Sequence, residues 1–218
     1  MARIQKQILG EIRGRVGNVV GKVRNGKPYI ASRPSKYSIS KLPHEVDKRN
    51  RFKVNGLFAK AIKENKFLYS IWDKKKAPAS SAYNKLCKVN YRLCSTTRPT
   101  DKSLITPDGF PLPMEGMSFF PNKIEAELLP FDILPDENRV IFIMLVCFYE
   151  PEKKELPYFS LKYITSYDLD DLKLTFNFKT TEEQTASEYK NRTAYLAAVT
   201  QDQAGNILRW SETVSREV

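Results

Sequence analysis

The run VIFIMLVCFY at 140–149 sets ten apolar residues in a row between Arg139 and Glu150. A helix needs about 20 such residues to cross a bilayer, so this run is too short for one. It fits a buried strand, and it commits the chain to a core that can enclose it. A chain of 218 residues is long enough to build that core, in one domain or two. With 41% hydrophobic and 11% aromatic residues, it has the apolar content to fold.

Other stretches near the run also read as strands: KIEAELL (123–129), YFSLKYIT (158–165), LKLTFNF (172–178), RTAYLAAVTQ (192–201) and ILRWSETV (207–214). LKLTFNF alternates cleanly, with Leu172, Leu174, Phe176 and Phe178 on one face. QDQAGNI at 201–207 reads as a hairpin turn, and TEEQTASEYKN at 181–191 as a short helix or a solvated loop. Short strands in this number, without a strong helix between them, predict an antiparallel β-sandwich over 122–218. It resembles immunoglobulin or fibronectin type III modules, although no Cys…Trp…Cys pattern marks a true immunoglobulin domain.

A helical segment precedes it at 46–95. Val54, Leu57, Phe58, Ala61, Ile62 and Leu68 mostly keep helical spacing, with Gly56 tolerated or marking a kink. DKKKAP at 73–78 ends this helix, and Ser80 reads as the N-cap of the next, with Ala82, Leu86, Val89 and Leu93 on one face. The expectation is a helical hairpin with Phe52, Phe58, Phe67, Trp72, Tyr83 and Tyr91 between or beneath the helices. The stretch 96–121 is rich in Pro, Thr, Ser and Gly, which predicts a linker holding the domain boundary.

The first segment, 1–45, is a basic, glycine-rich arm. It holds Gly10, Gly14, Gly17, Gly21 and Gly26, five of the nine glycines. They let the backbone turn sharply or lie close to a partner. Asn25-Gly26 is a strong hairpin signal, with one strand ending near Val23 and the next starting near Lys27. Pro34 and Pro43 bracket an extended link. The predicted class is therefore α+β: a basic arm or hairpin, a helical hairpin, then the sandwich.

Charge divides the chain. Residues 1–102 hold 25 Lys and Arg against 6 Asp and Glu, and 103–218 hold 11 against 19. Arg13, Arg15, Lys22, Arg24, Lys27, Arg33 and Lys36 are the candidate partner-binding residues. They fit phosphate contact. They equally fit the acidic half of a neighbouring copy, with Asp168, Asp170, Asp171, Glu182 and Glu183 as acceptors. Only Tyr29 and Tyr37 lie among them to stack bases, so contact with nucleic acid would be independent of sequence.

Catalytic patterns fail one by one. The spacing Gly14-x-x-Gly17-x-x-x-Gly21, followed by Lys22-Val23, matches neither a Walker loop nor a dinucleotide fingerprint. His44, the one histidine, sits in a connection and reads as a surface or structural residue. Cys87, Cys94 and Cys147 form no CxxC and no closed disulfide set, so reduced thiols are expected. The DLDD cluster at 168–171 lacks the glycine and distal glutamate of a calcium loop, and reads as a solvated turn. MARIQKQILGEI has a basic start but no apolar stretch of a signal peptide. No enzyme activity, metal, cofactor, small-molecule substrate or membrane contact is expected.

The arm resembles the N-terminal signature of a family of Bacteroidetes bacteria and of the viral or mobile elements of that group. The matching positions are the start at 1–3, the G-x-V-G-x-V-V-G-like core at 14–21, and then Arg33 and Pro34. The helical and β-rich regions look similar to 46–94 and 124–214, and the closing hairpin to 193–214. The chain departs from many members in lacking a Trp near Lys27 and in its Pro-rich middle. No catalytic residue carries over from the family. The resemblance, the division of charge and the absence of catalytic patterns together lead to the expectation of a virion structural protein of a tailed bacteriophage: a connector, collar, tail or head-associated component made in the host cytoplasm. It would assemble with copies of itself and neighbouring virion proteins. The second reading is a sequence-independent nucleic-acid-binding accessory protein.

Overall fold

A computed structural model describes residues 2–3, 14–24, 26–33, 39–76, 81–150, 156–166 and 172–218. The chain divides into two units, Met1–Leu42 and Pro43–Val218. The first contains β1 (Ala2–Arg3), β2 (Gly14–Val16), β3 (Val19–Arg24) and β4 (Lys27–Ser32), an antiparallel sheet in the order β1-β4-β3-β2. The hairpin expected after Val23 forms, with Arg24 opposite Lys27. The segment expected as an arm with one hairpin is a four-stranded sheet, because a second two-residue turn, Gly17-Asn18, sets Val16 opposite Val19. Gly17 and Gly26 adopt φ of 57° and 72°, the left-handed region that such turns require.

The second unit runs α1 (Pro43–Lys63), α2 (Lys66–Lys74), α3 (Ala82–Asn90), β5 (Met114–Phe119), β6 (Lys123–Leu128), β7 (Arg139–Tyr149), β8 (Tyr158–Ser166), β9 (Lys173–Asn177), α4 (Thr180–Glu188), β10 (Asn191–Gln201), β11 (Ile207–Trp210) and β12 (Val214–Glu217). The class is mixed α+β with antiparallel sheets. One sheet has the order β11-β10-β7-β8, with β12 also on β10; the other is β5-β6-β9.

The apolar run is β7, and alternate residues serve two cores. Ile141, Ile143, Leu145 and Cys147 join Tyr195, Ala197 and Val199 of β10 against Phe58, Ile62, Leu68, Trp72 and Leu86 of the helices. Val140, Phe142, Met144, Val146 and Phe148 join Ala194, Leu196 and Ala198 against Ile124, Ala126, Leu174 and Phe176 of the second sheet. An immunoglobulin or fibronectin module has two layers, whereas here helices form a third layer on the central sheet. Two packed antiparallel sheets are present, and the immunoglobulin-like form of the expected sandwich is not shown.

The helices differ from expectation in four places. Pro43, expected in the link, is the first helical residue, where its missing N–H costs nothing. The long helix is broken at Asn65, whose side chain accepts from Phe67 N (2.9 Å) and Leu68 N (3.1 Å) and caps α2. Ser81 caps α3, accepting from Asn84 N at 3.3 Å, one residue beyond the expected cap. Phe52, expected beneath the helices, is 65% exposed.

The stretch 96–121 lies within the second unit and does not divide it. Buried aromatic residues hold it through their polar ends. Trp72 Nε1 donates to Ile105 O (2.8 Å), and Tyr195 donates its hydroxyl to Thr100 O (2.8 Å). Its last part pairs with β6 as β5. Gly109 lies so close to β11 that a Cβ there would sit 2.3 Å from the Trp210 carbonyl oxygen. Gly109→Ala is expected to cost about 1–3 kcal/mol as the strap lifts from the strand. Thermal denaturation checks this, and an unchanged Tm would contradict the close approach.

Candidate functional site

Register decides what the N-terminal sheet presents. Side chains alternate along a strand, and residues opposite one another on paired strands share a face. Arg15 lies opposite Val20, Val20 opposite Ala31, Lys22 opposite Tyr29, and Arg24 opposite Lys27. Four of the candidate cations, Arg15, Lys22, Arg24 and Lys27, therefore stand on one face, and all four are exposed. The other face carries Val16 with Val19, Gly14 with Gly21, Gly21 with Ile30, and Val23 with Pro28. Among the described residues that face bears no charge. Val16, Val19 and Val23 are 59%, 37% and 49% exposed on it.

The glycines act in distinct ways. Gly14 has φ of 91°, while Gly17 and Gly26 make the turns. Gly14 and Gly21 sit opposite each other and leave that row of the apolar face flat. Arg33 follows β4, and its N–H closes the sheet onto Asn18 O at 2.8 Å. Arg15 Nε donates to Gly17 O at 3.5 Å, a contact at the turn. Gly10, Arg13 and Lys36 lie outside the described residues, as do Asn25, Ser80 and the acidic cluster at 168–171. Glu182, expected as an acceptor for a neighbouring copy, is already engaged. It accepts from Ser160 Oγ (2.6 Å), Lys179 N (2.6 Å) and Lys162 Nζ. Glu183, also on α4, is half-buried. The separation of apolar from basic face was not read from the sequence. Its signal was the pair of two-residue turns, which fixes parity across three strands.

The second unit has a shallow cleft of about 360 Å³ lined by Phe110, Pro130, Phe131 and Arg209. Arg209 lies over the Phe110 ring at 4.9 Å, and Phe110 stacks on Phe131 at 5.8 Å. The guanidinium grips Glu137, Nε to Oε1 at 2.6 Å and Nη2 to Oε2 at 2.8 Å. Glu137 also accepts from Thr200 Oγ1 (2.7 Å) and Leu134 N (2.8 Å). Burial alone would raise its carboxyl, but these donors outweigh burial and hold it below its ordinary value. Both oxygens are occupied, so the group serves as an anchor and is not poised as a base.

The other reactive side chains are placed for structure. Burial pushes the Cys94 thiol up to about 11 and raises that of Cys147, which keeps both protonated and inert. His44 is exposed beside Glu45 at 3.2 Å. Among the described residues no three His, Cys, Asp or Glu side chains gather as a metal site, and no helix is long and apolar enough to cross a membrane. Compared with known proteins, the chain matches no family model, no curated protein and no solved structure.

The Glu137 anchor has a pH signature. A carboxyl lowered from 4.5 in the folded state adds stability above the unfolded value, and that stability is lost as pH falls through the folded one. Glu137→Gln is expected to lose about 1.5–3 kcal/mol at neutral pH and to show a shallower acid limb. Urea titrations across pH measure both, and a parent-like acid limb would contradict the anchor.

Proposed function

We propose that this chain is a non-enzymatic structural protein that assembles with further copies of itself through Met1–Leu42, with Pro43–Val218 as its rigid body. The observation that carries this reading is the uncharged face of the N-terminal sheet, where, among the described residues, Val16, Val19 and Val23 are exposed and Pro28 and Ile30 half-buried. A small sheet gains independent stability only when its apolar face is packed. The same face of a second copy suits it. The face is uncharged and flat at Gly14 and Gly21, and sheets stack about 10 Å apart. Stacking in this way directs both basic faces away from the seam.

In its more specific form the assembly is a tailed-phage virion, and the chain is a connector, collar, tail or head-associated component. The support for that form is the resemblance at 1–3, 14–21, Arg33 and Pro34. Neighbouring virion proteins are then its other partners, and assembly takes place in the host cytoplasm.

Light scattering tests the assembly. The full chain is expected to self-associate, while a chain of 43–218 and the variant Val16→Lys with Val23→Lys are expected to stay folded and monomeric. A monomeric full chain, or a variant that associates normally, would sink the proposal. The virion form is tested by mass spectrometry of purified particles from the source phage, in which the chain should appear as a stoichiometric component.

A further inference from the structure

A second cationic surface lies on the body, and nothing in the assembly reading uses it. Residues 48–63 hold six Lys and Arg and no Asp or Glu. They fall within α1, whose inner side buries Val54, Phe58, Ala59, Ala61 and Ile62. At 3.6 residues per turn, Arg49, Phe52, Lys53, Lys60 and Lys63 stack into one stripe on the opposite side. All five are exposed. From Arg49 to Lys63 the stripe runs about 21 Å. Lys66, at the start of α2, is exposed too.

Local contacts leave the charge of the lysines available. Lys53, Lys60, Lys63 and Lys66 make no ion pair among the described residues. Lys63 and Lys66 instead rest over the rings of Tyr69 (5.9 Å) and Phe67 (5.1 Å), which hold an ammonium without neutralising it. Of the nearby acids, Glu45 is occupied by Lys48 at 2.8 Å, while Asp47 and Glu64 border the segment without an ion pair to the stripe's lysines among the described residues. Phe52 adds one apolar group to an otherwise cationic row.

We propose that this stripe binds the phosphate backbone of duplex nucleic acid, independently of sequence. The choice of occupant follows from charge. The β5-β6-β9 sheet of a second copy is a poor complement. On the outer face of the β5-β6-β9 sheet, Glu125 is taken by Lys123 (2.6 Å), and Glu127 by Lys173 (3.3 Å). An anionic lipid surface would call for an apolar row to insert, and the stripe offers Phe52 alone. A regular polyanion asks only for cations on a rigid rod, about one per turn. Such contacts position the protein on the duplex and carry no base readout.

The test uses the full chain and a labelled DNA duplex of arbitrary sequence, followed by fluorescence anisotropy across a salt series. The parent is expected to bind with log K falling linearly against log salt, and Lys53→Ala or Lys60→Ala should each lower the slope by about 0.9. The triple variant Lys53→Glu, Lys60→Glu, Lys63→Glu should lose at least about a hundredfold in affinity while melting like the parent. An equal reversal on the N-terminal sheet, Arg15→Glu, Lys22→Glu, Arg24→Glu, controls for net charge and should lose much less. Absence of duplex binding overturns the proposal, as does equal loss in the two triples. Capture of phosphatidylserine vesicles in place of duplex, abolished by the helix triple, would overturn it in favour of a membrane surface.

Discussion

The pairing of β7 with β10 is the constraint on which the body depends. Eleven residues of each strand face one another, from Arg139 opposite Gln201 to Tyr149 opposite Asn191. Nearly every side chain of both strands is buried, so the ladder cannot be exposed on either side. Each face must carry its own layer. The helices supply one and β5-β6-β9 the other. Small residues at Ala194, Ala197 and Ala198 let both layers approach the ladder, while Phe142 and Phe148 fill one side and Tyr195 the other. Burial of this kind needs no catalytic purpose. It follows from ten apolar residues in a row, which have no stable place except inside.

The ends of the ladder are where polar chemistry enters. At one end Glu137 gathers Arg209 and Thr200; at the other, Glu217 accepts from the Tyr149 hydroxyl (2.6 Å) and from Arg98 Nη1 (2.8 Å). Arg98 also lies 4.4 Å from the Tyr149 ring centroid. Burial works against both carboxylates, yet hydrogen bonds hold each below its ordinary value. These clamps sit where β11 and β12 share one edge of β10, with a break at 211–213. A broken edge lacks a continuous ladder, and the charged clamps fix its two halves.

Much of this was legible in the sequence, and what was not has physical reasons. The strands at 123–128, 139–149, 158–166, 173–177 and 191–201 announce themselves by alternation or by unbroken apolar runs. β5 hid in a stretch whose prolines and glycine signal a loop, because its pairing with β6 is supplied by the second core. The break at Asn65 hid in a continuous helical period, since apolar spacing does not register a capping side chain. The strap at 96–113 reads as a linker by composition. Its order comes from Trp72 and Tyr195, distant in sequence and invisible to any local window. The candidate cations were legible as residue types. Their gathering on one face depends on both turns: the Asn25-Gly26 hairpin, legible in the sequence, aligns Lys22, Arg24 and Lys27, and the Gly17-Asn18 turn, less legible, adds Arg15.

Charge then takes a different meaning from the one suggested by the two halves of the sequence. Met1–Leu42 holds ten Lys and Arg against one Glu, so it carries +9 of the net +11. The body is left near balance, its basic helices offset by its acidic strands. The proposed seam of the N-terminal sheets brings like charges together, and their repulsion is strongest at low ionic strength. Salt therefore favours that seam twice, by screening the cations and by strengthening apolar burial. The α1 stripe behaves oppositely, because contact with phosphates releases counterions and weakens as salt rises. Two basic surfaces on one chain thus answer to ionic strength with opposite sign. Basic composition alone cannot distinguish them; an apolar back on one and a buried core behind the other can.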